Sequence, residues 1–324
     1  MNKLILNPLF IFGILIRLAL IYIMSPIVVT VWFAPFLEAS SEFLSIDPWE
    51  LWVSNGGAIA AFPYGYAMWM LLLPIALISK FIGLPLQYGY EVTLLIVDFC
   101  LLLTLNKLLP GRQRLLLIAY WLSPIIIFAC YGLGYNDVIP ALLLTLSILF
   151  IRRTELKLSG ILLAAAISAK LSMVIALPFF AIYLYNHKAL RQRIANFLMG
   201  FCISFLIFFI PFLFSEEALQ MLFGNPEIDK VFSLAIEIGG QFTMYIVPLI
   251  YLISLYLFWR IKRLNFDLFQ ATIGMIFLVI VLMSPASPGW FIWCMPFLAF
   301  YQAMSGRISI LLVMIFSRSE ERRV

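Results

Sequence analysis

The stretch from 158 to 186 reads LSGILLAAAISAKLSMVIALPFFAIYLYN, and its borders decide how the chain is arranged. Basic residues lie on both sides of it: Arg152, Arg153 and Lys157 before it, and Lys188, Arg191 and Arg193 after it. Basic loops stay on the cytoplasmic side of a membrane, so the chain must leave that side and return within this stretch. A helix rises about 1.5 Å per residue and a bilayer core is about 30 Å thick, so two full crossings do not fit. The pattern predicts two half-helices that meet near Ser168, Ala169 and Lys170.

The whole chain suits a bilayer better than water. Of its 324 residues 64% are hydrophobic and 11% charged, with a mean hydropathy of +1.07. Lipid offers no partner to backbone polar groups, so helices are the expected spanning elements. We therefore predict an all-α polytopic membrane protein, a single membrane domain over 1–324, with about ten transmembrane helices. The predicted spans lie near 8–29, 90–106, 115–131, 137–151, 158–169, 171–186, 194–214, 242–259, 268–284 and 290–305.

Charge alternates between the connections. Further basic groups are Lys107, Arg112 and Arg114; Arg260, Lys262 and Arg263; and Arg307, Arg318, Arg322 and Arg323. Acids occupy the alternate connections: Glu38, Glu42, Asp47 and Glu50; Asp137; and Glu216, Glu217, Glu227, Asp229 and Glu237. By the positive-inside rule the acidic connections face the periplasm or a lumen, which gives outer loops 30–89 and 215–241. The expected location is a bacterial inner membrane, with the functional side outside.

One apolar stretch, Tyr64 to Gly83, breaks this alternation if it crosses. We therefore expect a membrane-associated helix that stays on the outer side of the first outer loop. Pro74 inside the stretch suits a bent or re-entrant segment better than a straight span.

The acids in LSIDPWELW, residues 44–52, have two explanations. Asp47 followed by Pro48 and Glu50 is typical of a helix N-terminus, with Asp47 as the cap. A capping carboxylate at the lipid boundary is also kept ionised, which a general base requires.

The segment YGLGYNDVIPALLL, residues 131–144, is equally ambiguous. Asp137 follows a glycine-containing turn and precedes an apolar run, which predicts another N-cap. The functional alternative makes Asn136 and Asp137 a polar wall that organises a sugar, a phosphate or a metal ion. Gly132 and Gly134 would then allow close backbone approach.

Charges at membrane depth are few and costly, and each is a candidate for function. Arg17 and Asp98 could form a structural pair between neighbouring helices. Lys170 lies where the half-helices meet and Lys80 lies on the outer segment, so either could neutralise a lipid phosphate. Snorkelling is the alternative for Lys80.

Two outer segments carry apolar and aromatic residues. In MSPASPGWFIWCMPFLAFY, residues 283–301, Trp290 and Trp293 are either belt aromatics or flat faces of a sugar or polyprenyl site. Residues 215–243 mix acids, apolar side chains and Lys230 with glycine breaks, which suggests a mobile cover over a lipid groove.

Common enzyme signatures are missing. The sequence has no P-loop, G-x-G-x-x-G, H-E-x-x-H or G-x-S-x-G motif. His187, the single histidine, lies in a basic loop, and the four cysteines have no metal-like spacing. Group transfer in such a protein requires a donor that arrives already activated on a lipid.

The order of these segments resembles the membrane-embedded C-type (GT-C) glycosyltransferases, mannosyltransferase-like members included, which use sugars carried on polyprenyl phosphate. The matching features are Asp47, FPYGYAMWMLLLP, GYNDVIPALLL, LSGILLAAAISAKLSMVIALPFF and SPASPGWFIWCMPFL. The last is similar to the S-P-Q-x-x-x-W-x-x-P-type segment of that family, with Gly289 near the usual Gln. The resemblance covers most of the chain.

The resemblance implies an inverting transfer with Asp47 as the catalytic base on the acceptor hydroxyl. Asp137 then orients substrate or, as in some members, helps to hold a divalent metal. The D-x-D pair of other members is missing because residue 49 is Trp, so no metal ligand and no cofactor is assigned. We expect Glu50 to support catalysis. The expected substrate-binding residues are Asn136, Tyr64, Lys80, Lys170, Trp290 and Trp293.

The expected partners are a polyprenyl-phosphate sugar donor, with mannose as a candidate, a glycan, lipid or protein acceptor, and membrane lipid; no nucleic acid is expected. The main alternative is a flippase or transporter of lipid-linked sugars without chemistry, although we find no inverted repeats. An acyltransferase or ligase is a further alternative, but the outer segments lack a histidine to act as its base.

Overall fold

The computed structural model describes residues 2–42, 46–240 and 242–304. The predicted basic tail from Arg307 to Arg323, Ser305 at the end of the last span, and Gln241 lie outside the described residues, as do Leu44 and Ser45. The α-helices are α1 Asn2–Ile5, α2 Pro8–Ile23, α3 Ala34–Glu42, α4 Pro48–Ser54, α5 Tyr66–Phe81, α6 Leu86–Leu108, α7 Gln113–Leu116, α8 Pro124–Ile127, α9 Val138–Arg152, α10 Leu156–Ala169, α11 Leu177–Asn186, α12 Lys188–Arg191, α13 Ile194–Phe209, α14 Glu216–Phe223, α15 Ile246–Arg260, α16 Phe266–Met283 and α17 Phe291–Met304.

Short helical turns and one hairpin complete the described chain. Strands β1 Ala235–Glu237 and β2 Thr243–Tyr245 pair antiparallel, with Ile236 opposite Met244. The remaining turns are π-helical at Val29–Phe33, Leu117–Trp121 and Phe128–Gly132, and 3₁₀-helical at Leu171–Ala176, Pro211–Phe214, Asp229–Phe232 and Pro288–Trp290. The predicted all-α class is confirmed.

Helices that could cross a membrane are present. Within the described residues, three are long and apolar enough, namely Leu86–Leu108, Ile194–Phe214 and Phe266–Met283. A fourth candidate, predicted as one span over 115–131, is two helices, Gln113–Trp121 and Pro124–Gly132, bent by 49°. The break precedes Pro124, which has no N–H to give and restricts the residue before it. Six further apolar helices are shorter, so ten crossings stay a prediction.

The predicted break in the 158–186 stretch is present at Lys170. Helix α10 ends at Ala169, Lys170 is extended with φ −153° and ψ 119°, and a 3₁₀ turn begins at Leu171. Helices α9 and α10 pack against each other, and Ser147 Oγ lies 3.0 Å from Ser159 Oγ near the connection between them. At their other ends Asp137 meets Lys170. We call this the Asp137 end of the bundle.

Helix α10 packs most extensively against α13, through two glycines. A Cβ on Gly160 would overlap the carbonyl oxygen of Phe197, and a Cβ on Gly200 would overlap the carbonyl oxygen of Lys157. Small residues at such a contact let two helix backbones approach closely. This contact fixes α10, and with it the position of Lys170.

Helix α5, the segment that disturbed the charge alternation, begins at the Asp137 end, and the first turns of α6 also contact that end. Before its first turn, the Gly65 amide donates to the carbonyl oxygen of Ser168 at 2.8 Å. After its last turn the chain enters α6, where the Tyr90 hydroxyl donates to the carbonyl oxygen of Gly134 at 2.7 Å. These contacts agree with a segment that returns to the side from which it starts.

The predicted pair of Arg17 and Asp98 is confirmed. Arg17 Nε lies 2.8 Å from Asp98 Oδ2, and both side chains are fully buried. The hydroxyls of Tyr120 and Tyr131 donate to the same carboxylate at 2.7 and 2.9 Å. The guanidinium lies 3.7 Å from the centre of the Trp121 ring. This network ties α2 and α6 to the bent pair that leads into the Asp137 segment.

Candidate functional site

A buried ion pair lies at the centre of the site. Lys170 Nζ donates to Asp137 Oδ1 at 2.5 Å, and their side chains are 15% and 1% exposed. Asp137 directly precedes α9, and Lys170 lies at the break that follows α10, so packing of these two helices brings the charges together. An ammonium held at this depth is a candidate for binding an anion.

Asp137 occupies the N-cap position of α9, but its carboxylate does not cap the helix, so a capping role does not explain this acid. Its side chain makes no capping hydrogen bond to α9. Oδ1 instead also accepts a hydrogen bond from Trp293 Nε1 at 2.7 Å. Oδ2 is buried and has no hydrogen-bond partner among the described residues. A Cβ on Gly289 would overlap Oδ2, so any larger residue at that position would displace the carboxylate.

The pair faces a cavity of about 530 Å³. The cavity wall comes from distant parts of the chain: Val28, Trp32, Phe33, Ala60, Pro63, Tyr64, Tyr135, Asp137, Lys170, Leu171, Ser172, Val174, Ile175, Leu222, Asn225, Pro226, Glu227, Ile228, Val231, Ile280, Ser287, Trp290 and Trp293. Five of the predicted site residues line it together, namely Tyr64, Asp137, Lys170, Trp290 and Trp293. Residues of the 215–241 segment form one wall, which is the position expected for a cover.

Two tryptophans form a platform in this cavity. The rings of Trp290 and Trp293 stack at 5.0 Å with an interplanar angle of 19°. Lys170 Nζ lies 5.2 Å from the centre of the Trp293 ring and 5.7 Å from that of Tyr64. Both tryptophans are buried, at 4% and 1% exposure, which does not suit aromatics of a lipid-facing belt.

Two tyrosines, Tyr64 and Tyr135, line the cavity. Burial raises the pKa of Tyr64 well above its ordinary value, and the negative charge of Asp137 raises it further. Burial also raises the pKa of Tyr135, with smaller contributions from Asp137 and Glu227. Both phenols therefore keep their protons at neutral pH and can donate hydrogen bonds to a ligand.

Asp47 and Glu50 lie apart from this cavity lining. Asp47 caps α4, as predicted: Oδ1 accepts from the amides of Trp49 and Glu50 at 3.1 and 3.0 Å. Neither acid is among the residues that line the cavity. The structure thus does not place Asp47 and Asp137 in the wall of the same cavity.

Two other predicted substrate-binding residues also lie outside the lining. Lys80 is exposed, and its Nζ donates to Ser41 Oγ at 3.2 Å. Asn136 is fully buried and does not line the cavity.

Sequence reasoning missed a second polar cluster. Ser287 Oγ donates to Glu227 Oε2 at 2.6 Å, and Lys230 Nζ donates to Ser287 Oγ at 3.1 Å while pairing with Glu227 Oε1. Glu227 and Lys230 are an acid and a base three residues apart, and this spacing could have indicated a local ion pair. Nothing in the sequence joins them to Ser287.

The polar cavity offers an ammonium group, that of Lys170. Within residues 2–42, 46–240 and 242–304, no three His, Cys, Asp or Glu side chains converge as metal ligands. The partnered oxygen of Asp137 already holds Lys170 and Trp293. Lys170 is the cation that lines this cavity and is placed to meet an anion.

A second cavity, about 520 Å³ in volume, is almost wholly apolar. It is lined by Ile16, Leu20, Leu122, Pro124, Ile125, Ile127, Phe128, Ala129, Pro288 and Phe291. Pro288 and Phe291 belong to the segment whose other side chains, Ser287, Trp290 and Trp293, line the polar cavity. One short segment thus contributes to both cavities.

A family model decides the class of this protein. The model of glycosyltransferase family 87 matches residues 62–288, more than half of the chain. The chain belongs to glycosyltransferase family 87. It is thus a membrane glycosyltransferase, which requires a sugar donor and an acceptor. The match includes Asp137, Lys170, Glu227 and Ser287. No curated protein matches this family 87 glycosyltransferase significantly.

Proposed function

We propose that this glycosyltransferase transfers a sugar, with mannose as a candidate, from a polyprenyl-phosphate donor to a hydroxyl of a glycan, lipid or protein acceptor. The single observation that supports this donor is the ion pair of Asp137 and Lys170 beside stacked tryptophans in one cavity. A phosphodiester needs a cation, and a sugar ring needs a flat apolar face.

In the proposed reaction the acceptor oxygen attacks the anomeric carbon with inversion. The bond from that carbon to the phosphate oxygen breaks, and polyprenyl phosphate leaves with the bonding electrons. Lys170 stabilises the negative charge that develops on the phosphate. Before the donor binds, Asp137 holds Lys170 in place, and the indole N–H of Trp293 holds Asp137. The charge pattern supports a site on the periplasmic side of a bacterial inner membrane.

The apolar cavity is the proposed place for the first isoprene units of the donor. It is bordered by Pro288 and Phe291, and the same segment contributes Trp290 and Trp293 to the polar cavity. A lipid whose head lies beside Lys170 can therefore bury its chain nearby without exposing apolar surface to water.

The proton of the acceptor hydroxyl goes to a carboxylate, and the sequence hypothesis assigns this to Asp47, with Glu50 as a supporting acid. The Asp47→Asn variant tests it cleanly, because Asn caps a helix about as well as Asp. Loss of a general base should lower transfer by about 10² to 10⁴, with thermal unfolding unchanged. Near-normal transfer by this variant would remove Asp47 from the mechanism.

The donor assignment is tested with purified protein in liposomes and a radiolabelled polyprenyl-phosphate sugar. We expect Lys170→Met to lower transfer to membrane acceptors by about 10² to 10³, the usual loss for one donor to a developing anion. Lys157→Met, at the exposed opposite end of α10, is the matched control and should transfer normally. Normal transfer by Lys170→Met contradicts the proposal, and redistribution of lipid without a product would favour a flippase.

A further inference from the structure

Glu227 and Ser287 line the same cavity as the ion pair of Asp137 and Lys170, and Lys230 contacts both of them. Ser287 bridges this cluster, since its hydroxyl donates to Glu227 and accepts from Lys230. Glu227 and Ser287 are 60 residues apart in sequence, so the tertiary fold, rather than a local turn, assembles the cluster. Lys230 Nζ lies 6.0 Å from the centre of the Trp290 ring.

This cluster keeps unused hydrogen-bonding capacity. A carboxylate can accept about four hydrogen bonds and an ammonium can donate three. The contacts within the cluster use part of that capacity, and the side chains of Glu227 and Lys230 remain 36% and 28% exposed. Fixed acceptors and donors next to an aromatic ring are suited to the alternating hydroxyls and C–H face of a sugar.

We propose that Glu227, Lys230 and Ser287 form a hydroxyl-binding subsite that holds a saccharide ring against Trp290. It is distinct from the phosphate-binding pair of Asp137 and Lys170, and the inference rests on the transfer reaction proposed above. Each tryptophan of the stack is thus near one cation, Trp293 near Lys170 and Trp290 near Lys230. The stacked tryptophans thus connect the proposed phosphate-binding group to the proposed sugar-binding group.

The saccharide has two possible sources with the same chemistry, the sugar of the donor and a sugar of the acceptor. Glu227 is the residue to change, because its carboxylate accepts hydroxyl hydrogen bonds and Gln keeps its size but loses the charge. Glu237→Gln is the matched control, since Glu237 is an exposed acid of the same segment and does not line the cavity.

The first experiment compares binding of two lipids to purified protein, polyprenyl phosphate with and without the sugar. If the subsite holds the donor sugar, Glu227→Gln should weaken binding of the sugar-bearing lipid by about tenfold to a hundredfold and leave the sugar-free lipid unchanged. Ser287→Ala should act in the same direction by a smaller factor, which guards against misfolding of one variant. Lys170→Met should weaken both lipids.

The second experiment measures transfer against increasing concentrations of a membrane lipid extract as acceptor. If the subsite holds an acceptor sugar, Glu227→Gln should raise the half-saturating extract concentration by about tenfold while donor binding is unchanged. Unchanged values in both experiments, or equal weakening of both lipids, would overturn the subsite. A different result would overturn only the assignment of Lys170 to the phosphate. In that case Glu227→Gln loses affinity for the sugar-bearing lipid alone, while Lys170→Met binds both lipids normally.

Discussion

Two ion pairs among the residues that the structure describes, Arg17 with Asp98 and Lys170 with Asp137, differ in what surrounds them. Arg17 and Asp98 are both 0% exposed, and the Asp98 carboxylate accepts three hydrogen bonds, from Arg17, Tyr120 and Tyr131. In the second pair Lys170 remains 15% exposed, and both residues line a cavity of about 530 Å³.

The difference separates a structural charge pair from a binding site. Aromatic rings cover Arg17, with Trp121 at 3.7 Å and Tyr131 at 5.4 Å from the guanidinium carbon, so no ligand can reach it. Lys170 instead has spare donors that face open volume. Burial of charge alone therefore does not indicate function; access to the charge does.

The largest expected effect on stability is at the closed pair. Arg17→Met leaves Asp98 buried without its cation, which should cost about 3 to 5 kcal/mol in the free energy of unfolding. Thermal unfolding of the purified protein measures this, with the exposed Arg260→Met as control. Transfer per folded molecule should stay near normal. A stable Arg17→Met protein that has lost transfer would break the distinction between the two pairs.

The next effect is at the open pair, through Gly289. Gly289→Ala places a methyl group against Asp137 Oδ2 and should cost about 1 to 3 kcal/mol by overpacking. Because the shifted carboxylate no longer positions Lys170, we expect transfer to fall about tenfold, equivalent to about 1.4 kcal/mol of barrier. In a Lys170→Met background the same change should lower transfer little further, since the two act through one contact. Full additivity would show that Gly289 acts elsewhere.

The smallest effect is at the edge of the closed pair. Tyr131→Phe removes one hydrogen bond to Asp98 Oδ2, which still accepts from Arg17 Nε at 2.8 Å. The expected loss of unfolding free energy is about 1 kcal/mol, with transfer unchanged. A loss close to that of Arg17→Met would mean that the network fails as a unit.

The features that the sequence predicted are those that follow from charges in apolar helices or from local sequence patterns. Arg17 and Asp98 are charges in apolar helices, where an unpaired charge is energetically costly. The sequence offers neither of them another partner that would offset that cost. The break at Lys170 followed from the distance between two basic loops, and Asp47 followed from the local pattern of an N-cap.

The remaining features depended on contacts distant in sequence. The local pattern before α9 predicts a cap at Asp137, but Lys170 and Trp293 take that carboxylate instead. Glu227 and Lys230 are ordinary loop charges in the sequence, and only the fold brings Ser287 to them. The convergence of Asp47 with Asp137 was also a tertiary prediction, and Asp47 does not line the Asp137 cavity.

The most direct test of the central claim is equilibrium binding of sugar-free polyprenyl phosphate to purified protein. It isolates the phosphate from sugar contacts and from chemistry. Hydrogen bonds to charged groups contribute about 1.5 to 3 kcal/mol, so Lys170→Met should bind about tenfold to a hundredfold more weakly. Lys157→Met should bind like the unaltered protein. Equal affinity of Lys170→Met and Lys157→Met would contradict the assignment of Lys170 as the phosphate-binding cation.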